Sequence, residues 1–395
     1  MLSSKIKELA SAYFEDTLKI RRHIHSNPEL SYHEFKTQEF VSNKLTEMGI
    51  PHSKMANTGL VGIIEGGLGG DQVVALRGDM DALPITETND VEYKSKNEGV
   101  MHACGHDVHT SSLLGAARIL NDLKAQLPGK IKLIFQPAEE KAPGGASIMI
   151  KEGVLENPKP HSIIGQHVMP LVDVGKVGFR SGMYMASADE IYFTVKGKGG
   201  HGAMPHLAVD PITITAQIIV ALQQVVSRMA NPATPTVLTF GKVIANGVNN
   251  VIPDEVKVDG TFRTFDEEWR KDALVKMKKL ATSIAEGFGA EIEFTIVDGY
   301  PFLVNEEHTT AKARAAAVEY LGEENVVDLG IWMAAEDFSY YSHHVPACFY
   351  RLGIRNESKG ITSNVHTPTF NIDEDALKIG TGLMAYIAYK QLLES

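Results

Sequence analysis

The chain reads as an α/β protein interrupted by an inserted α+β domain of ferredoxin-like type, and three observations predict this. Apolar, β-branched runs alternate with helix-like runs from residue 60 to about 184, and polar residues collect where the strands end. Between residues 185 and 295 the order becomes strand, helix, strand, strand, helix, strand, which is the ferredoxin-like unit at a comfortable domain size. Alternation then resumes over 296–395. The expected division is therefore 1–184, 185–295 and 296–395, with the first and last parts forming one α/β domain.

Taken in order, residues 4–25 place Leu9, Tyr13, Leu18, Ile20 and Ile24 at helical spacing, so one helix face is expected to be buried. The loop HSNPELSYHEF precedes a second helical run, KTQEFVSNKLTEMG, ended by Gly49 in the C′ position. The runs at 60–66 and 72–77 are short and β-branched, and read as adjacent strands joined by a glycine-rich turn at 66–70. MHACGHDVHT (101–110) follows, then a helix at about 110–126. LPGKIKLIFQPAEE is a turn, a strand and a paired acid. Gly144 and Gly145 precede the helix ASIMIKEGVL, and HSIIGQHV is a strand with a histidine at its end. In the insertion, ADEIYFTVKG, TVLTFGKVIA, EVKVDGTFRTF and AEIEFTIVDG are the strands, with helices between the first pair and the last pair. Beyond it come a helix at 308–321, an apolar segment at PACFYRLG and a helix at 374–393.

Net charge is −11 and the basic residues are dispersed, which argues against nucleic acid or an anionic membrane surface as partner. No apolar run reaches the roughly 18 residues a spanning helix needs. The first 25 residues lack the basic start and apolar middle of a signal peptide, so a cytoplasmic setting is expected. Two cysteines, Cys104 and Cys348, cannot build a disulfide scaffold. In a reducing compartment Cys104 is free to act as a thiolate ligand.

Metal ligands are mostly His, Asp, Glu and Cys, and catalytic metal sites keep one position open. Candidates fall in five clusters: Asp79 and Asp81 in RGDMDALP; Cys104, His106, Asp107 and His109; Glu139 and Glu140 in FQPAEE; His167; and His366. Each cluster alone has an ordinary structural explanation, a lone histidine above all. The adjacent glutamates are more telling. Two carboxylates at a buried strand end repel each other unless a cation is near, and one can then bind metal while its neighbour acts as general base. One thiolate among imidazoles and carboxylates suits zinc, manganese, cobalt or nickel better than magnesium or calcium. Two metals sharing a ligand would account for so many candidates. The insertion adds His201 and His206 in GKGGHGAMPH, Asn249 and Asn250 in GVNNVIP, and Arg263 in GTFRTF. Arginine holds a carboxylate in a bidentate fork, and a histidine or asparagine can stabilise an oxyanion.

RGDMDALP, MHACGHDVHT, FQPAEE, the His167 strand end, GHGAMPH, NNVIP, GTFRTF, AAEDFS and VHTP occur together and in this order. In this the chain resembles, over essentially its whole length, the amidohydrolase branch of the aminoacylase-like metallopeptidases. That branch includes hippurate hydrolases, N-acyl-amino-acid amidohydrolases and plant indole-acetyl-amino-acid hydrolases. The resemblance implies a zinc-peptidase-like α/β catalytic domain with 185–295 as lid and dimerisation domain. It implies two divalent metal ions (Mn, Zn, Co or Ni) on Cys104, His106, Glu140, His167 and His366, with Cys104 as bridge. Glu139 becomes the general base of a metal-activated water, and Asp81 the aspartate that orients a ligand. His201 and Asn250 match the pair that approaches the scissile carbonyl, often from the partner subunit of a homodimer, and Arg263 with His206 the substrate carboxylate site.

The implied reaction is hydrolysis of the amide bond of N-acyl amino acids. A metallo-dipeptidase or carboxypeptidase is the alternative, and a cysteine hydrolase using Cys104 is a third reading. Val108 stands where the family often has Gly, Gly202 where many members have Ala, and Ala334 and Ala335 where many have Gly-Ser. Val108 is expected to narrow the pocket or stiffen its loop. None of these changes removes a proposed ligand or the base.

Overall fold

A computed structural model describes residues 2–393. The chain divides into two compact units. The first takes the chain up to Tyr184, then Val304–Ile331 and everything from Asp337; the second is Met185–Leu303 with the short piece Trp332–Glu336. The second unit thus runs past residue 295. Its last strand reaches Asp298, and the tail beyond stays tied to it: Ala188 N donates to Tyr300 O (2.9 Å) and Phe302 N to Glu267 Oε1 (3.1 Å).

The first unit is built on an eight-stranded sheet. Its order is His52–Met55, Gly59–Glu65, Lys130–Gln136, Val73–Asp79, Ser162–Asp173, Ala347–Arg355, Val177–Phe179, Val326–Asp328. The four strands from Lys130–Gln136 to Ala347–Arg355 are parallel, and Val73–Asp79 is buried at every residue, as expected of a strand covered on both faces. The strands at Gly59–Glu65 and Val73–Asp79 are not neighbours, contrary to the hairpin expected from their glycine-rich connection. Lys130–Gln136 lies between them, antiparallel to one and parallel to the other. The glycines instead let the connection lie against the turn before Lys130: Gly66 N donates to Gly129 O (2.8 Å) and Gly129 N to Gly69 O (2.7 Å). A Cβ at Gly66 would sit 2.2 Å from Leu127 O.

The expected N-terminal helix is two helices, Leu2–Ala12 and Phe14–Ser26. Its innermost residues include Arg21 and His25 as well as Ile6, Ala10 and Ile24, whereas Leu9, Tyr13, Leu18 and Ile20 are only half-buried. The charged pair faces inward because a buried carboxylate waits there. Asp107 Oδ2 accepts from Arg21 Nε (2.7 Å) and pairs with His25 Nδ1 (2.8 Å). The strand carrying His167 also differs from expectation. It continues to Asp173, so His167 is a mid-strand residue.

The second unit has a four-stranded antiparallel sheet ordered Thr236–Ala245, Glu255–Thr264, Asp189–Lys196, Glu291–Asp298. Helices Pro211–Gln224 and Glu267–Gly287 cover one face, each started by an aspartate cap, Asp210 and Asp266. The helical stretch Pro211–Met229 is, by length and composition, apolar enough to cross a membrane. Its Ile214, Ile218, Leu222 and Val225 stripe packs into this unit's own core. Arg270 holds the fully buried Asp189 in a two-point clasp, Nε to Oδ2 (2.7 Å) and Nη2 to Oδ1 (2.6 Å). Arg270→Ala leaves that carboxylate buried and unpaired, so denaturant unfolding should show a loss of about 3–5 kcal/mol. An unchanged midpoint would mean the pair adds nothing.

Candidate metal centre

The centre grows from strand ends. Val73–Asp79 delivers Asp79 and, two residues on, Asp81; Lys130–Gln136 delivers the turn 137–140 with Glu139 and Glu140; Ser162–Asp173 carries His167. The helix His106–Asp122 starts earlier than expected, because Gly105 at φ 82° turns the chain directly into it. A side chain at Gly105 would strike Val168 Cγ2 at 2.6 Å, so the close approach of this turn to the His167 strand requires glycine. That approach sets Cys104 and His106 beside His167.

Cys104 Sγ lies 3.5 Å from His167 Nε2. One ligand atom each from Cys104, His106 and His167 falls within a 4.8 Å cluster, and the same holds for Cys104, Glu140 and His366, and for His106, Glu139 and Glu140. Cys104 is common to the first two clusters. His106 Nε2 is 3.9 Å from both Glu139 Oε2 and Glu140 Oε1, and His366 Nε2 is 3.1 Å from Glu140 Oε1. The structure therefore gathers six of the sequence candidates from four stretches of chain.

Hydrogen bonds on the far side of each ring aim the near side inward. His106 Nδ1 donates to Asp81 Oδ1 (3.1 Å), and its buried Nε2 has no hydrogen-bond partner. His167 Nδ1 donates to Val168 O (2.8 Å), which leaves Nε2 unprotonated and facing Cys104. His109 differs, although it sits in the same motif. Its Nδ1 donates to Asp79 Oδ1 (2.6 Å) and its Nε2 accepts from Val168 N (2.9 Å), so both nitrogens are spent on structure. Asp79 in turn pairs with Arg77, and Asp107 with Arg21 and His25. Val108 is fully buried in the hydrophobic core of the first unit. Its expected effect on a substrate pocket therefore gives way to a packing role.

The electrostatics are those of a site short of positive charge. Burial, reinforced by the Glu140, Glu139 and Asp79 carboxylates, pushes the Cys104 thiol well up. Burial disfavours protonated His106, but Asp79, Asp81 and Glu140 outweigh it and push the imidazole up to about 10. Burial and Arg351 hold His167 well below the usual histidine range. Burial opposes the Asp81 carboxylate, yet its bonds from His106, Ser31 and the Glu140 amide leave it lowered. A cation among these groups would satisfy the orphaned Nε2 of His106 and neutralise the acids that oppose a thiolate. The donor set fits divalent metal.

The turn that carries the two glutamates is itself held. Asp81 Oδ1 accepts from Glu139 N and Oδ2 from Glu140 N, both at 3.0 Å, while Ser31 Oγ donates to Oδ2 (2.6 Å). Ala138, just before them, sits at φ 51°, a conformation that costs a non-glycine residue roughly 1–2 kcal/mol. His366 is likewise left-handed at φ 61°, its N donating to Ala103 O (2.7 Å) next to Cys104.

In the second unit, His201 pairs with Val251 in a two-stranded ribbon, not in an irregular loop, and this brings it next to Asn250, whose carbonyl accepts from Gly202 N (2.8 Å). His206 lies in the short helical turn Pro205–Leu207, and all three polar side chains are exposed. Arg263 is half-buried on Glu255–Thr264, its Nε donating to Thr261 Oγ1 (3.2 Å).

Residues 75–390 match the sequence profile of peptidase family M20/M25/M40. The chain belongs to this family. Family membership makes it a hydrolase, and the relatives give it an amidohydrolase character. It is 41% identical over 377 residues to a Bacillus subtilis protein named N-acetyl-L-cysteine deacetylase, covering 95% of this chain and 88% of that one. It is 39% identical over 389 residues to the Arabidopsis thaliana IAA-amino acid hydrolase ILR1-like 5, covering 97% and 88%. Among solved structures, a Bacillus subtilis M20 family member described as a dinuclear metal binding peptidase superposes with a TM-score of 0.82 at 35% identity, covering 96% of this chain and 98% of that one. The family fold is thus the α/β architecture with its α+β insertion.

Proposed function

We propose that the protein hydrolyses the amide bond of N-acyl amino acids, releasing a carboxylic acid and a free amino acid. The observation that carries this reading is the convergence of Glu139 and Glu140 with Cys104, His106, His167 and His366. Cys104, His106, Glu140, His167 and His366 would hold two divalent metal ions, Cys104 serving both. Bound there, the ions supply Lewis acidity toward the acyl carbonyl and lower the pKa of water. Glu139 takes the proton of the attacking water and passes it to the leaving amine nitrogen. Asp81 fixes the His106 tautomer, so that its Nε2 stays a donor of electrons.

In the second unit, His201 or Asn250 stabilises the oxyanion of the tetrahedral species. Arg263, with His206, holds the free carboxylate of the substrate. A homodimer through this unit belongs to the reading, supported by exposed Val237, Val243 and Ile244 on its Thr236–Ala245 edge strand and Val220 on the adjoining helix.

The test compares an N-acetyl amino acid with the dipeptide of the same C-terminal residue. The acylated substrate should show the higher kcat/KM. Arg263→Ala should raise its KM by about 10–100-fold with kcat little changed, the worth of a hydrogen-bonded ion pair. A clear preference for the dipeptide rejects the acyl assignment.

A further inference from the structure

We infer that Glu34 is a positioning residue for the reaction, the buried carboxylate that fixes the turn carrying Glu139 and Glu140. This rests on the roles proposed for those two residues. Glu34 is fully buried, and the donors that reach it are all neutral. Oε1 accepts from Ala138 N (2.8 Å) and from Tyr32 N (3.0 Å), and Oε2 accepts from Thr58 Oγ1 (2.6 Å). Ala138 and Tyr32 are both left-handed, at φ 51° and 68°. One oxygen thus anchors two residues in a conformation their side chains disfavour. Thr58 closes a further turn whose Ala56 and Asn57 are also left-handed.

The consequence lies in the order of amides along the catalytic turn. Ala138 N goes to Glu34, Glu139 N and Glu140 N go to Asp81. Three successive N–H groups are clamped by two carboxylates from distant stretches. On the far side, the Tyr32 hydroxyl donates to Lys141 O (2.9 Å), just past Glu140. The segment 32–34 therefore brackets the glutamate pair, with Glu34 gripping it in front and Tyr32 behind. Asp81 alone leaves Ala138 N without its acceptor, which weakens the hold on Ala138 in the left-handed region. Relaxation there would swing both glutamate side chains.

A carboxylate is costly in this place. Burial and then the Asp81 charge push the Glu34 carboxyl up to about 7. What the turn uses is an acceptor of the right reach more than a negative charge. An amide of the same length reproduces it: in the Glu34→Gln variant the side-chain oxygen would face the two N–H groups and the side-chain nitrogen would donate to Thr58 Oγ1. Aspartate keeps the charge and withdraws the acceptor by one methylene.

Four variants test this in the metal-loaded enzyme: Glu34→Gln, Glu34→Asp, Glu34→Ala, and Glu34→Ala combined with Ala138→Gly. Two quantities are read, kcat on an N-acetyl amino acid and the half-time of metal loss to a chelator. Aspartate and alanine should each cost about 10–100-fold in both, the usual effect of losing an outer support of a metal site. Glutamine should stay within about threefold of wild type. Glycine at 138, which adopts φ > 0 freely, should recover most of the alanine loss. The inference fails if alanine leaves both readouts unchanged, if glutamine falls as far as aspartate, or if glycine at 138 recovers nothing. Should the alanine protein not fold, the glutamine–aspartate contrast decides alone. Turnover surviving in Glu139→Ala would instead reject the base assignment, while metal loss in the Glu34 series still reports on the turn through Glu140.

Discussion

Glu139→Ala should keep its metal and lose turnover by about 10²–10⁴-fold, the range that a positioned general base contributes. The two halves of this expectation have separate causes. Metal retention follows because Glu139 lies beside the ligands: His106, Glu140, His167, His366 and Cys104 are untouched, and Asp81 grips the backbone N–H of residue 139 whatever its side chain. Loss of turnover follows because Glu139 Oε2 reaches to within 3.9 Å of His106 Nε2, beside the proposed ligands and in reach of a water held there. Glu139→Gln separates proton transfer from packing, since it keeps the shape and loses the basicity. Both variants should show a KM close to wild type. A variant that keeps near-normal kcat removes Glu139 from the mechanism, and one that loses metal makes it a ligand.

Stripping the enzyme with a chelator should reduce activity to about a hundredth or less, because Lewis-acid stabilisation is worth several kcal/mol. Activity should return with manganese, zinc or cobalt. The result also decides between metal hydrolysis and a nucleophilic cysteine. Cys104 is buried among carboxylates that hold its thiol protonated, which makes a poor nucleophile. The same carboxylates make a good cradle for a cation. Activity that survives chelation and falls to thiol alkylation would favour the cysteine. Activity that follows the metal excludes it, and the metal that restores most activity at the lowest concentration is the native candidate.

Much of this centre is legible in the chain because its chemistry is local. Cys104 and His106 are separated by a single glycine, and Glu139 and Glu140 are adjacent, so spacing marks them as candidates, and the family resemblance joins them to His167 and His366. What escapes is whatever depends on a distant partner. His109 looks like a ligand until Asp79 and Val168 occupy both its nitrogens. Arg21 and His25 look like the wet side of a helix until Asp107, 86 and 82 residues away, turns them inward. Glu34 reads as one acid in a loop, because its partner Ala138 lies 104 residues on. The sheet order is hidden for the same reason. Two strands joined by glycines resemble a hairpin in any local window, and only the non-local pairing of Lys130–Gln136 shows that they are parted.

The placement of the Ala347–Arg355 strand also has a consequence for synthesis on the ribosome. It pairs in parallel with Ser162–Asp173, near the middle of the large sheet. The sheet therefore cannot be completed until the whole insertion has emerged. The second unit is nearly continuous, and the four strands of its main sheet with their two covering helices are all present once residue 298 leaves the exit tunnel. The guest thus matures before its host. Until the strand at 347 arrives, the nascent host presents an unpaired Ser162–Asp173 edge, the kind of strand edge that invites aggregation.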